Sequence, residues 1–292
     1  MSVGFLRRDS CPLCQSSRQL LLCDLGYRDE PLAAFMQHFY GGRISAQALA
    51  DARYRVVACG RCDFVYQDPV LDQAGMRALY HDWVDQDGSL AKKRSAGNGM
   101  YRQYAGQMRT LQRLFPRPPQ QTRVLDFGMG WGYWCRMAQA YGFDVSGYEL
   151  SARRRDHARK LGVTLIDKLA EAQAGFDFIY ANQVFEHLAE PLSSLRELCA
   201  CLNDDGILYL RVPDGRGLRQ RLQRRGWRPE LGAIHPLEHI NCFTRSNLVQ
   251  FAGAAGLRPV QAPLRLEWGS LASGIRREIA DRWLSTHMMF RR

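Results

Sequence analysis

Residues 123–132, with the sequence RVLDFGMGWG, constrain the fold of this chain more than any other stretch. An apolar run that ends at Phe127 leads into Gly128, Gly130 and Gly132, and the pattern that follows is helical. Glycine permits backbone torsions and close approaches that a side chain would forbid, and the N-terminus of a helix presents unpaired N–H groups. A buried strand, a glycine turn and a helix in this order predict a nucleotide-binding site.

Two acidic residues accompany this turn. Asp126 stands two residues before the first glycine, and a second strand pattern, DVSGYEL, reaches Glu149. Dinucleotide sites favour the spacing G-x-G-x-x-G, whereas this chain has G-x-G-x-G. Asp126 would repel a pyrophosphate but attract an ammonium group, and Glu149 can accept hydrogen bonds from both ribose hydroxyls. The two acids favour a nucleoside with a cationic amino-acid end over an NAD site or a turn without a ligand.

The residues after Glu149 alternate between helix and strand patterns. A helix that starts at Ser151 is expected to stop at Gly162, and a leucine-rich helical pattern occupies 188–202. The segment NDDG (203–206) predicts a turn, and the strand patterns are VTLI (163–166), FDFIYANQV (176–184) and ILYLRVP (207–213). This alternation predicts an α/β fold with a parallel sheet that is covered on both faces.

Ligands of such sheets bind at the C-terminal ends of the strands. Four polar side chains fall at these ends: Asp126, Glu149, Asp167 and Asn182. The acid-glycine turn, the second acid and the segment FEHL after a strand resemble the class I S-adenosylmethionine-dependent methyltransferases. The resemblance implies a Rossmann-like sheet of seven strands. It also implies that Asp126 and the glycines hold the methionine end of the cofactor, Glu149 the ribose and Asp167 the adenine edge.

The FEHL segment supplies two further candidate residues, Glu186 and His187. They follow the strand that ends near Asn182, so we expect them beside the cofactor, where they would shape the mouth of the substrate site.

Two C-x-x-C pairs predict a metal site near the N-terminus. Cys11, Cys14, Cys59 and Cys62 can supply two thiolates from each of two tight turns, which is typical of a four-cysteine structural zinc site. The alternative is disulfide pairing. The odd number of cysteines, nine, and the absence of a signal-peptide pattern argue against a closed disulfide framework and favour a cytoplasmic location. The other five cysteines are expected to be buried apolar side chains.

Composition and pattern divide the chain into four blocks. We expect a zinc-binding module over 1–70, a helical connector over 71–121, a methyltransferase domain over 122–265 and a helix-compatible basic tail over 266–292. No apolar run approaches the roughly 18 residues that a membrane span needs.

The net charge of +11 comes almost entirely from arginine, because only four of the 40 basic residues are lysine. The densest arginine cluster lies at 216–228, either as a solvated surface or as a patch that attracts an anionic substrate. An RNA methyltransferase is the alternative function, with the zinc module and this cluster holding nucleic acid. The charge balance of the module argues against RNA binding, because residues 11–62 carry six arginines and four acidic residues.

The segment HPLEHINCF, which begins at His235, places Glu238 and His239 just before a helix that Thr244 or Ser246 can cap. His235, Glu238 and His239 could bind a metal, form a base and its orienting partner, or simply pack in the loop.

The cysteine pairs, the segment D-L-G…P-L-A between them and the Glu238-His239 pair together resemble the sugar C-methyltransferases. This resemblance implies a nucleotide-linked keto-deoxysugar as substrate, with Glu238 and His239 supporting proton abstraction beside the ketone and His239 as the general base. A small, anionic acceptor methylated at carbon or oxygen is therefore expected. A non-catalytic binding protein of the same fold is the further alternative, and the intact Asp126, glycines and Glu149 argue against it.

Overall fold

The computed structural model describes residues 3–45, 47–169, 175–261 and 286–292. The chain forms two compact units, each built from three segments of sequence. Unit 1 takes its described residues from 1–89, 185–192 and 212–254, and unit 2 takes its described residues from 90–184, 193–211 and 255–292. The division into four sequence blocks stays a prediction.

Strands and helices follow one another along the chain in both units. The strands are β1 (Phe5–Leu6), β2 (Gln19–Gly26), β3 (Arg53–Cys59), β4 (Val65–Gln67), β5 (Val70–Leu71), β6 (Arg123–Phe127), β7 (Asp144–Tyr148), β8 (Thr164–Leu165), β9 (Phe176–Asn182), β10 (Leu202–Arg211), β11 (Asn241–Cys242), β12 (Arg258–Val260) and β13 (His287–Arg291). The α-helices are α1 (Leu32–Tyr40), α2 (Gln73–Ala78), α3 (Gln86–Arg94), α4 (Asn98–Leu114), α5 (Tyr133–Ala140), α6 (Ala152–Lys160), α7 (Pro191–Cys201), α8 (Leu218–Leu222) and α9 (Arg245–Gly253). A π-helical turn covers Leu79–Trp83, and short 3₁₀ turns cover Pro119–Gln121 and Phe185–His187.

Unit 2 is organised around a seven-stranded sheet with the order β12-β13-β10-β9-β6-β7-β8. Five neighbouring strands, β10, β9, β6, β7 and β8, pair in parallel. Strand β13 runs antiparallel to both β10 and β12. The central strands β6 and β9 are buried along almost their whole length, as expected for parallel strands that are covered on both faces. The structure confirms the predicted α/β, Rossmann-like sheet of seven strands.

The end of the chain differs from its sequence-based expectation. We expected a helix-compatible tail, but His287–Arg291 form strand β13, so the expectation is wrong for these residues. Phe290 is fully buried and pairs with Leu208 of β10, and β13 hydrogen-bonds on both of its edges. The strand is therefore specified by long-range pairing rather than by local propensity. The rest of the predicted tail, 262–285, lies outside the described residues.

A second difference concerns the segment NDDG, which predicts a turn. The structure instead includes these residues in β10, which starts at Leu202, and shifts the register between Leu202 and Ile207. Gly206 lies in this irregularity, where an added Cβ would come within 2.9 Å of the carbonyl oxygen of Asn203. Residues 203–206 thus lie opposite the single residue Asp177 of β9, as an irregularity within the strand.

Unit 1 contains a four-stranded antiparallel sheet with the order β11-β4-β3-β2. Helix α1 contributes Leu32, Met36 and Tyr40 to the same apolar core as Tyr54 and Val56 of β3. The edge strand β11 comes from the third segment of the unit, so the sheet is completed by residues that are distant in sequence.

A buried arginine connects the segments of unit 1. The backbone N–H of Arg8 donates to Asp68 Oδ1 at 2.6 Å, and its guanidinium donates to the carbonyl of Ala189 at 2.6 Å and to Asn241 Oδ1 at 2.9 Å. Burial lowers the pKa of Arg8 to about 10, which still leaves it charged at neutral pH. Asn241 in turn donates its amide hydrogens to the carbonyl of Phe185 at 2.9 Å. This network fixes the backbone around the Phe185–His187 turn.

Candidate functional site

The glycine turn of unit 2 has the backbone conformation that its sequence requires. Gly128, Gly130 and Gly132 have φ values of 74°, 56° and 77°, which favour glycine over other residues. A Cβ on Gly128 would lie 2.5 Å from a methyl group of Val184, so close packing also excludes a side chain there. A Cβ on Gly130 would meet no heavy atom within 4 Å, which leaves room for a ligand to approach the backbone.

The carboxylate of Glu149 closes this turn. One oxygen accepts a hydrogen bond from the N–H of Gly130 at 3.0 Å, and the other accepts from the N–H of Ser151 at 2.9 Å. Arg154 places a guanidinium nitrogen 3.8 Å from the same carboxylate. Ser151 does precede helix α6, as expected, but its hydroxyl makes no capping hydrogen bond. The acid and the glycines, which are predicted to bind one ligand, are therefore in direct contact.

Asp126 lies at the end of β6 and is almost fully buried. The thiol of Cys135 donates to its Oδ2 at 3.4 Å. The pKa of Asp126 is raised to about 7, chiefly by burial. The hydrogen bond from Cys135 and the charge of Lys93 oppose this rise, and the negative charge of Glu149 adds to it. A cation bound at this carboxylate would stabilise the ionised form.

The remaining predicted cofactor residues differ in their surroundings. Asp167 is 70% exposed and forms an ion pair with Arg155 of α6. Asn182 ends strand β9, and its buried side-chain oxygen has no hydrogen-bond partner among the described residues. A buried acceptor without a partner is costly unless a ligand or water satisfies it. The orphaned amide oxygen and the open face of Gly130 thus fit a polar ligand such as a nucleoside.

The four predicted metal ligands meet in unit 1. Their sulfur atoms all lie within 4.8 Å of one another, with Cys11 Sγ 3.6 Å from Cys62 Sγ and Cys14 Sγ 3.5 Å from Cys59 Sγ. All nine cysteines are free thiols. Of the other five, Cys23 is half-buried rather than buried, and Cys135, Cys199, Cys201 and Cys242 are buried as expected.

A second polar cluster in unit 1 joins residues that are far apart in sequence. The rings of His187 and His239 have centroids 4.7 Å apart, and His235 lies 4.0 Å from His239 on the same measure. Glu186 is fully buried, and its Oε1 is 3.9 Å from His187 Nε2. Burial lowers the pKa of His239 to about 4 and that of His235 to about 3, so both rings are neutral at physiological pH.

Backbone carbonyls contact the imidazoles of His187 and His239. Nδ1 of His239 lies 2.5 Å from the carbonyl oxygen of Gly232, and Nδ1 of His187 lies 2.9 Å from that of Glu238. The Glu238 carboxylate accepts a hydrogen bond from the hydroxyl of Tyr40 at 3.1 Å. Sequence reasoning missed Tyr40 and Gly232, because neither belongs to a motif and both contacts form only in the folded chain.

The arginine cluster at 216–228 is partly neutralised. Arg216 pairs with Asp214, Arg219 with Asp63 and Arg221 with Glu230. The other three arginines of the cluster are exposed: Arg224, Arg225 and Arg228.

Comparison with known proteins assigns the chain to a protein family. A family profile described as a methyltransferase domain matches residues 99–262, more than half of the chain. The chain belongs to this methyltransferase family. The match confirms the sequence-based expectation of a methyltransferase domain. Among the described residues, no helix is long and apolar enough to cross a membrane.

Individual relatives are similar over shorter stretches. A biotin biosynthesis bifunctional protein BioHC of Cellvibrio japonicus is 26% identical over 53% of this chain and 32% of its own length. A ubiquinone biosynthesis O-methyltransferase of Cereibacter sphaeroides is 32% identical over 32% of this chain and 42% of its own length. The chain thus spans less than half of these curated relatives. A structure of the Burkholderia thailandensis 1,6-didemethyltoxoflavin-N1-methyltransferase covers 82% of this chain and 94% of its own, with 18% identity and a TM-score of 0.47.

Asp126→Asn is expected to change the pH dependence of stability. The carboxyl has a pKa of about 7 when folded against an ordinary 3.8, so the folded chain binds this proton more tightly than the unfolded chain. The free energy of unfolding contributed by Asp126 therefore falls as pH rises from about 4 to about 7. The asparagine variant, which never ionises, should gain stability over wild type across that window, by at most about 4 kcal/mol.

Urea unfolding of the full chain at about pH 5 and about pH 8 measures this effect. The matched control is Asp205→Asn, which removes an exposed carboxylate from the same unit. A difference between Asp126→Asn and wild type that stays constant with pH would contradict the proposed ionisation.

Proposed function

We propose that the protein transfers a methyl group from S-adenosylmethionine to a small anionic molecule, with a nucleotide-linked sugar or surface-glycan precursor as the acceptor. The observation that carries this proposal is the glycine turn closed by the Glu149 carboxylate, within a domain that belongs to a methyltransferase family. When bound, S-adenosylmethionine supplies an electrophilic methyl group, and an acceptor carbon or oxygen displaces the thioether from it.

Residues of unit 2 would hold the cofactor. We assign the methionine ammonium to Asp126 and the glycine backbone, because a cation offsets the cost of ionising the buried carboxyl. The ribose hydroxyls would donate to Glu149, which the N–H groups of Gly130 and Ser151 already orient. The adenine edge would contact Asp167, and the orphaned amide oxygen of Asn182 would accept a hydrogen bond from the ligand.

The histidine cluster would serve the acceptor. His239 is the proposed general base, because a carbonyl at Nδ1 favours the tautomer that leaves a lone pair on Nε2. Glu238 would act through the loop backbone and Tyr40, and Glu186 and His187 would form the wall of the substrate site beside His239. The exposed arginines Arg224, Arg225 and Arg228 would attract the anionic acceptor.

The cysteine cluster is proposed to hold one structural zinc ion. A tetrahedral site with Zn–S bonds of about 2.3 Å has sulfur atoms about 3.8 Å apart. The observed separations of 3.5 and 3.6 Å approach this value. Each cysteine pair also has a backbone N–H directed at its first sulfur, from Leu13 to Cys11 at 3.4 Å and from Arg61 to Cys59 at 3.3 Å. These donors would stabilise thiolates, and four thiolates leave no position open for a substrate.

Glu149→Ala should weaken the binding of S-adenosylhomocysteine. Titration calorimetry on the full chain should give micromolar-order affinity for wild type, and the variant should lose about 1–3 kcal/mol, or about 5- to 150-fold, because the ribose hydroxyls lose their acceptor. Asp156→Asn, which removes an exposed carboxylate from α6, is the control and should bind normally. Binding of NAD without any response to S-adenosylhomocysteine would overturn the cofactor assignment.

Cys59→Ser should remove the metal. Elemental analysis after gel filtration should find about one zinc per wild-type chain and none in the variant. The β2–β4 sheet of the variant should lose protection in hydrogen exchange, because metal binding is coupled to the folding of such modules. Cys199→Ser, a buried cysteine of α7 in unit 2, should keep the zinc. Wild-type protein that is free of metal but has a protected β3 strand would refute the zinc assignment.

His239→Ala should abolish proton abstraction from the acceptor. A nucleotide-linked keto-deoxysugar incubated in deuterated water should exchange hydrogen at the carbon beside its ketone when wild-type protein is present, and at least about 100-fold more slowly with the variant. The variant should still bind S-adenosylhomocysteine, because His239 and the glycine turn belong to different units. His38→Ala, an exposed histidine of α1, is the control. Normal exchange by the His239 variant would remove this residue from the mechanism.

A further inference from the structure

The polar cluster of unit 1 has the donor set of a metal site. Glu186, His187 and His239 each offer one ligand atom, and these three atoms lie within 4.8 Å of one another. Two imidazoles and one carboxylate are a common ligand set for transition metals that keep open coordination positions. No short motif brings these residues together, since about 50 residues separate the first two from the third.

The contacts at Nδ1 of both imidazoles suit metal binding. A metal ligand must present a lone pair, and its other ring nitrogen usually donates to a carbonyl or carboxylate that fixes the ring. Nδ1 of His187 faces the carbonyl oxygen of Glu238 at 2.9 Å, and Nδ1 of His239 faces that of Gly232 at 2.5 Å. Both contacts favour Nδ1–H tautomers. In a neutral ring of this tautomer the lone pair is on Nε2, and Nε2 of His187 is the atom 3.9 Å from Glu186 Oε1.

Hydrogen bonds hold both ligand segments without any ion. The N–H of Ile240, next to His239, donates to the carbonyl of Glu186 at 2.8 Å. Gln67 donates its amide hydrogens to the carbonyls of His235 and His239 at 2.7 and 2.8 Å. Glu186 is fully buried, and about a fifth of the His187 side chain is exposed. The ligand atoms are thus preorganised, with an approach from solvent on the His187 side.

We propose that Glu186, His187 and His239 bind a divalent transition-metal ion, as a second metal site distinct from the cysteine cluster. Imidazole and carboxylate ligands favour Zn²⁺, Co²⁺, Ni²⁺ or Fe²⁺, whereas Mg²⁺ and Ca²⁺ prefer sites made of oxygen alone. Three protein ligands leave at least one position for water or for an oxygen of a small molecule.

Occupancy of this site affects the function proposed above, and this part of the inference rests on that function. The metal binds through the lone pair on Nε2 of His239, which is the pair that a general base uses to accept a proton. The same imidazole cannot do both at once. A bound ion therefore inhibits proton abstraction, and its removal restores it.

Cobalt binding to the full chain tests the site, with zinc first loaded on the cysteines. Added Co²⁺ should bind with one further equivalent and give visible d–d absorption without a thiolate-to-cobalt charge-transfer band. Glu186→Gln and His239→Ala should each weaken Co²⁺ binding at least tenfold, and His38→Ala should leave it unchanged. Retention of one zinc per chain by each variant shows that unit 1 is still folded.

Three results would overturn the binding proposal: no further Co²⁺ bound at millimolar concentration, a charge-transfer band from thiolates, or unchanged affinity in a folded Glu186→Gln variant. Cobalt binding needs neither cofactor nor acceptor, so this test is independent of the methyltransferase assignment. That assignment is tested by the binding of S-adenosylhomocysteine.

Inhibition is tested separately by hydrogen exchange of the keto-deoxysugar. Exchange should stop as Co²⁺ fills the site and return with a weak chelator that leaves the zinc. Undiminished exchange at full occupancy would overturn the inhibitory role.

Discussion

The buried guanidinium of Arg8 is the interaction on which the candidate acceptor site depends. Burying a charge is costly unless hydrogen bonds compensate it, and Arg8 finds its acceptors on three segments of chain, at Gln67, Ala189 and Asn241. Asn241 then holds the carbonyls of Phe185 and Leu188, on either side of Glu186 and His187. Glu186 and His187, the two candidate ligands, therefore lie in a backbone turn that is held by hydrogen bonds from Arg8 and Asn241. Arg8 has no proposed role in the reaction itself.

Three of the carboxylates near the proposed chemistry have different surroundings. Glu149 is held by two N–H groups and a nearby guanidinium, Glu238 accepts from a tyrosine hydroxyl, and Asp126 accepts from a thiol and lies near the charge of Lys93. The pKa of Asp126 is raised to about 7. Because burial disfavours its ionised form, Asp126 would gain from a cationic ligand beside it.

The parts of this molecule that local chemistry specifies could be predicted from the sequence. The RVLDFGMGWG turn needs glycine at its positive φ angles, and each C-x-x-C pair forms a tight turn that directs two sulfurs to one point. Residues whose roles depend on distant partners were missed. Strand β13 forms because β10 and β12 pair with it on both sides, and NDDG becomes an irregularity within β10 because the strand continues through it. The contact between His187 and His239 likewise requires the fold, since neither motif indicates the other.

The discontinuous construction of unit 1 has a consequence for its biosynthesis. Arg8 leaves the ribosome 233 residues before Asn241, its acceptor. At about 5–20 residues per second, the N-terminal segment waits roughly 10–50 s for its last strand. During that interval the cysteine pairs and the edge of β4 are available to other molecules. If the cysteines bound zinc early, the metal would protect these thiols on the nascent chain and hold β2, β3 and β4 together until β11 emerges.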